Sequence, residues 1–157
     1  MSNRSDFSFD TTIHIRDACL CLHVQRAARA LARRFDEALR PVGLTHGQFS
    51  LMTALNRPQP AGLGGVAALL AMDRTTLTAA LKPLTRRGLV EVGADPRDRR
   101  GRLLTLTPQG LALLEQALPI WRQTHAAIES GLAPGEPDRL RADLRALAPN
   151  ASAQPGT

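Results

Sequence analysis

A mostly α-helical fold carrying one small β-hairpin is predicted by three features of the chain. Apolar residues recur at spacings of three and four through most of its length, the period of helices with one buried face. One stretch breaks that period: Leu89-Val90-Glu91-Val92 and Arg102 to Leu106 are short β-prone runs on either side of a charged segment. Residues that cap helices, Thr45, Asp73 and Thr107, stand just ahead of three of the apolar runs. From Gly62 to Thr107 the order is helix, turn, helix, strand, basic loop, strand, which is what a winged helix-turn-helix needs.

Taken in order, Met1 to Asp10 is polar and reads as irregular. Thr12 to Arg40 reads as one long helix, with Leu20, Val24, Ala27, Leu31, Phe35 and Leu39 on one side and Pro41 and Gly43 to stop it. Thr45 followed by Gln48 is a capping-box pattern for a short helix through Phe49, Leu51, Met52 and Leu55. Arg57-Pro58-Gln59-Pro60-Ala61-Gly62 is a linker, since two prolines forbid a helix. Leu63 to Ala71 and Arg74 to Arg87 then form the paired helices. Leu77, Leu81 and Leu84 face inward in the second, Pro83 is expected to kink it, and Gly88 ends it.

Gly93 to Gly101 reads as the hairpin loop. Thr107-Pro108 opens a helix with a capping hydroxyl and a proline where no amide is needed, and Pro119 should bend it. Glu136 to Leu147 is a last amphipathic helix. The 157 residues suffice for one domain, 1–157, in which 44–107 is the winged element and 149–157 a disordered tail. Segments 12–41 and 108–148 read as helices that complete their apolar burial in a dimer.

Twenty Lys and Arg stand against 14 Asp and Glu, a formal charge of +6, and the excess is concentrated. Residues 63–107 hold eight bases against four acids, whereas 108–157 hold four against five. A positive charge gathered on a helix-turn-helix is the electrostatic footprint of a nucleic-acid binder. The start of the second helix, which enters the major groove in such motifs, offers Arg74, Thr75, Thr76 and Thr78 to bases or phosphates. Lys82, Arg86 and Arg87 suit the phosphate backbone or stay solvated. The tip Asp95-Pro96-Arg97-Asp98-Arg99-Arg100-Gly101-Arg102 places Arg97, Arg99, Arg100 and Arg102 where guanidinium groups can cross phosphates or enter a minor groove. Asp98 reads as wing support, pairing with a neighbouring arginine.

The block Asp95 to Gly110, with Asp-Pro-Arg-Asp-Arg-Arg-Gly-Arg and Leu-Thr-Leu-Thr, resembles the wing signature of the MarR (multiple antibiotic resistance regulator) family. Leu44-Thr45 before Gln48-Phe49, and Arg86-Arg87-Gly88-Leu89-Val90 after the second helix, extend the likeness over residues 15–148. The resemblance implies a homodimer that binds pseudo-palindromic double-stranded DNA, and the cytoplasm is the compartment expected from a chain with two cysteines and no disulfide scaffold. The resemblance also implies a repressor released by a small phenolic or lipophilic ligand, or by an oxidant. On this chain the recognition contacts would begin over Arg74 to Thr78, and Asp98 and Arg100 would support the wing. Pro83 and the two-proline linker depart from the family pattern.

Cys19 and Cys21 are too few for a disulfide scaffold and, two apart on a helix, would point about 200° apart. Family members that sense organic hydroperoxides carry a reactive cysteine in the first helix, and Cys21 stands at the matching position. Those sensors hold the thiolate with tyrosines, of which this chain has none; His23 and nearby arginines are the groups left to do so. The competing reading is that both thiols are buried packing residues. His14, His23, His46 and His125 share no metal-ligand spacing, and no cofactor is expected. His14, His23 and His46 could meet near the junction of the long helix and the DNA-binding core. Phe49, Met52 and Trp121 are candidates to line a lipophilic pocket. No apolar run reaches the roughly 20 residues of a membrane span. No nucleophile–base pair or phosphate loop supports an enzyme. An effector-binding protein without a DNA role is the remaining alternative.

Overall fold

A computed structural model of the chain describes residues 7–148; the expected tail at 149–157 lies outside them, as do residues 1–6. Seven α-helices and three strands are described: α1 (Phe9–Ala18), α2 (Leu20–Leu39), α3 (His46–Ala54), β1 (Ala61–Gly62), α4 (Leu63–Leu69), α5 (Arg74–Arg86), β2 (Val90–Asp95), β3 (Asp98–Leu106), α6 (Pro108–Glu129) and α7 (Glu136–Leu147).

The first correction is at the N-terminal end, where two helices replace the expected single one and the first begins inside the segment read as irregular. Ser8 caps α1 by accepting from the Thr11 amide. Cys19 then takes an extended conformation, φ −72° and ψ 106°, and its Sγ accepts the Leu22 amide at 3.5 Å as the cap of α2. Neither proline nor glycine marks this break. A polarizable sulfur meeting an orphan helix amide is a weak hydrogen bond, so the junction rests on its backbone bonds, the Cys19 amide on the Ile15 carbonyl and the His23 amide on the Cys19 carbonyl.

The core begins where α2 reaches Phe35 and Leu39. It continues through Leu44, Leu51, Met52, Val66, Leu77, Leu84, Val90 and Leu104 to Leu114 and Ala117 of α6. Full burial of one such leucine contributes roughly 2 kcal/mol. The capping box predicted for α3 is present, with Gln48 N–H on Thr45 Oγ1 at 3.2 Å and Thr45 N–H on Gln48 Oε1 at 3.1 Å. α4 and α5 both end in the same six-residue closure. Met72 N–H bonds the Ala67 carbonyl, and Leu89 N–H bonds the Leu84 carbonyl. The left-handed residue is Gly88 in the second closure, at φ 70°, but Ala71 in the first, at φ 51°. A non-glycine residue there costs about 1 kcal/mol, a strain placed in the turn of the helix-turn-helix itself.

The sheet holds one strand more than expected, in the order β1-β3-β2. Ala61 and Gly62, read from sequence as linker, pair antiparallel with Leu104 and Leu103 of β3. The hairpin strands are also longer than the sequence suggests. β2 and β3 run to Asp95 and Asp98, so the expected loop at Gly93 to Gly101 shrinks to Pro96-Arg97 with a register irregularity at Ala94 and Asp95. α6 opens on Thr107 as predicted. Its hydroxyl accepts the Gly110 amide at 3.0 Å and donates to the Gly88 carbonyl at 2.7 Å, which fastens α6 to the exit of α5.

Candidate nucleic-acid interface

α5 packs by Leu77, Leu81 and Leu84, all buried, and presents the opposite side to solvent. Asp73 caps it: Oδ1 accepts the Thr76 amide at 2.8 Å and Oδ2 accepts the Thr76 hydroxyl at 2.6 Å. The hydroxyl, then the amide, hold the Asp73 carboxyl below the usual carboxylate range. The cap is therefore complete above the ordinary carboxylate pKa of about 4 and is lost only as pH falls through the lower native value.

These bonds sort the predicted reading surface. The Thr76 proton is committed to Asp73, and the Thr78 hydroxyl donates to the Arg74 carbonyl at 2.7 Å. Thr75 is exposed and, among the described residues, its hydroxyl makes no hydrogen bond, which leaves it able to donate as well as accept. Arg74 folds toward the start of α4: a Cβ on Gly64 would lie 3.0 Å from its Nη2. Lys82 and Arg86 are exposed further along the helix. Arg87, though also exposed, is held within the chain: its Nη1 donates to the Gly43 carbonyl at 2.8 Å and ties the end of α5 to the turn after α2. The helix runs through Pro83 from Arg74 to Arg86 as one element.

The tip of the hairpin is organised by its acids. Asp95 Oδ1 accepts the Arg97 amide at 2.8 Å and Asp98 Oδ1 accepts the Arg100 amide at 2.9 Å. Asp98 thus meets backbone, and among the described residues it forms no ion pair with the arginine neighbours from which its support was expected. Gly101 is the other requirement, because a Cβ there would come within 2.9 Å of Asp95 Cβ and 3.2 Å of Asp98 Cβ. The carboxylates are turned onto the backbone while Arg97, Arg99, Arg100 and Arg102 all stay exposed. Arg99, Arg100 and Gly101 have no partners across the hairpin, because the register passes from Asp95–Asp98 to Ala94–Arg102, and this irregularity carries the basic cluster.

A second feature lies away from these surfaces. Phe49, Thr53, Leu69, Leu70, Leu118 and Trp121 line an apolar cavity of about 600 Å³ between α3, α4 and α6. The Trp121 ring stacks on Phe49, with centroids 6.4 Å apart, and on His125, at 4.7 Å. Met52, a sequence candidate for such a pocket, is fully buried in the core and does not line it. Leu69 and Leu118 do, and their high exposure for apolar residues within helical runs is a property of the assembled fold that periodicity could not reveal.

Neither cysteine is buried, which corrects the packing reading. Cys19 is half-buried at its cap, and Cys21 is exposed with its Sγ accepting from Gln25 Nε2 at 3.3 Å. The His23 ring nitrogen Nδ1 engages the Cys19 carbonyl at 2.8 Å rather than the Cys21 thiol. His46 packs its ring on Phe35, with centroids 5.2 Å apart, and its amide donates to Asp36, so His23 and His46 serve separate local contacts.

A helix-turn-helix with an exposed N-terminal surface, followed by a doubly basic hairpin, defines a winged-helix DNA-binding protein. The chain belongs to the MarR family: the family profile of that description matches residues 44–101, and full-length likeness to solved members extends the match. The M. tuberculosis transcriptional regulator MosR, solved in complex with DNA, is 37% identical, with 86% of this chain and 97% of that one covered and a TM-score of 0.76. Bordetella bronchiseptica BpsR, whose DNA binding is regulated by 6-hydroxynicotinic acid, is 32% identical over 80% of this chain and 95% of that one, with a TM-score of 0.71. The transcriptional activatory protein BadR of Rhodopseudomonas palustris is 35% identical over 94 residues, 58% of this chain and 54% of BadR. The chain thus spans little more than half the length of the curated relatives it matches. Members of this family are DNA-binding transcriptional regulators and not enzymes.

Proposed function

We propose that the chain acts as a homodimer on pseudo-palindromic double-stranded DNA, as a repressor released by a small lipophilic effector. The observation that carries this reading is the wing tip. Two aspartates and Gly101 shape the backbone so that Arg97 stands exposed on a two-residue turn and Arg99, Arg100 and Arg102 stand exposed on the strand that leaves it. Arg97 and Arg99 are assigned to the minor groove or its flanking phosphates, Arg100 and Arg102 to phosphates, and Thr75 with Arg74 to the major groove. Thr76, Thr78, Lys82 and Arg86 complete the contact surface along α5. The apolar cavity against Phe49 and Trp121 is the effector site; its stacked rings suit a planar aromatic molecule. The molecule named for BpsR, 6-hydroxynicotinic acid, has that shape. No helix among the described residues is long and apolar enough to cross a membrane, and the cytoplasm is the compartment assigned.

Salt dependence tests the assignment. Each wing arginine occurs twice in a dimer, so Arg97→Ala or Arg99→Ala is expected to reduce the slope of log affinity against log salt by about 1.8, with affinity down at least tenfold. Native-like thermal unfolding of both variants with unchanged DNA affinity would remove the wing from the interface.

A second reading concerns oxidants, and the exposed Cys21 favours it. Its sulfur accepts a hydrogen bond from the Gln25 side-chain amide and stands open to solvent, where a peroxide can reach it. Cumene hydroperoxide is expected to release DNA from the native protein and not from Cys21→Ser. Equal release from both excludes Cys21.

A further inference from the structure

A second cavity, of about 250 Å³, lies at the root of the wing, lined from the α3–β1 linker, β3 and the start of α6. Its apolar lining comes from Leu55, Leu104, Leu106 and Leu111. Leu55 and Leu104 are buried, while Leu111 on α6 is 40% exposed. Pro58 and Pro60 also line it, and their fixed φ angles stiffen that part of the wall. The polar rim holds one charged side chain, Arg57, with no carboxylate in the lining, and among the described residues Arg57 pairs with no acid. The positive end of the 22-residue α6 opens at Pro108 on the same cavity.

This lining differs in kind from that of the cavity at Trp121. It contains no aromatic ring to stack a planar ligand, and its charge is positive. The volume is below the roughly 300–1,000 Å³ typical of drug-sized ligands, which suits a molecule of about ten heavy atoms. We propose that the wing-root cavity binds a short-chain aliphatic carboxylate, its chain on the leucines and its carboxylate on Arg57. The site is separate from the aromatic cavity. An occupant would touch β3, the strand that runs directly to the basic tip, so it would also bear on the angle of the wing.

Hexanoate is the probe, titrated into the full-length protein without DNA and followed by the leucine methyl resonances. Saturable shifts are expected at Leu104, Leu106 and Leu111, with those of Leu69, Leu70 and Leu118 little changed. Neutral hexanamide should bind at least tenfold more weakly, and Arg57→Gln should weaken hexanoate by the same factor. Arg57 is exposed and, among the described residues, its side chain makes no hydrogen bond or ion pair, so its replacement is expected to leave the fold intact, as thermal unfolding checks. Absence of saturation by 20 mM, equal binding of acid and amide, or shifts centred on Leu69 and Leu118 would each overturn the proposal. The readout involves no DNA, so its failure leaves the assignment of the wing untouched.

Discussion

Replacing Gly110 by alanine is expected to destabilise the protein by about 3 kcal/mol, although alanine is the better helix former. Gly110 lies in the first turn of α6, buried against the strand entrance. A Cβ built on it falls 2.2 Å from the Leu89 carbonyl oxygen and 2.7 Å from Leu106 Cδ1. The first is backbone and cannot swing away. Leu89 O is also the acceptor for the Thr107 amide at 3.1 Å, and the neighbouring Gly88 carbonyl accepts the Thr107 hydroxyl. Relieving the clash therefore lifts α6 off the α5–β2 junction and breaks both bonds together. At this chain length 3 kcal/mol corresponds to a fall in Tm of about 6–12 °C. Gly65→Ala is the control, since a Cβ there meets nothing within 4 Å and α4 gains helix propensity. Urea unfolding should separate the two substitutions by sign, and equal stabilities would refute the packing account.

That junction also shows what was readable from sequence. Thr45, Asp73, Thr107 and Gly88 were legible because a cap or closure depends on residues within six positions of one another, whose chemistry is local. β1 was not legible. Two residues, Ala61 and Gly62, have no periodicity, and they become a strand only because β3 offers an unpaired edge beside them. The wing strands were underestimated for a related reason. Charged residues score as loop, yet β3 begins at Asp98 because Asp98 and Arg102 pair with Asp95 and Ala94 across a tight turn that Asp95 and Asp98 stabilise.

The helix break at Cys19 was hidden because a sulfur cap has no sequence signature comparable to serine or aspartate. At the site, the basic character of α5 and the wing was plain, but the allocation of each group was not. Arg87 reads like Arg86 as a residue for the DNA backbone or solvent, yet it is bonded to the Gly43 carbonyl across 44 positions. Thr75, Thr76 and Thr78 looked alike, and only the geometry of Asp73 and the Arg74 carbonyl distinguishes them.

Disruption of α7 is expected to abolish tight DNA binding while leaving the winged core folded. α7 contributes no buried residue to the chain, and its Leu140, Leu144 and Leu147 are 46%, 40% and 59% exposed along one stripe. At the other end of the chain Phe9 and Leu20 are 75% and 68% exposed. Covering what these half-exposed leucines still present to solvent contributes roughly 1 kcal/mol each, and together they favour a second copy. The helix is held ready for it by Arg141, which bridges Glu129 of α6 and Asp138 of α7. Substituting Leu140→Glu and Leu144→Glu together places four carboxylates in a symmetric interface, where like charges without partners oppose association. The expected product is a monomer by sedimentation, with helical content and the unfolding of the Leu39–Leu104 core close to native. Because a dimer gains its second half-site at the effective concentration set by the first, affinity for a two-half-site duplex should fall by about 10²–10⁴. Affinity for a single half-site should change little. A variant that remains dimeric would move the interface away from α7, and a monomer that still binds the full site tightly would show that one winged helix is enough.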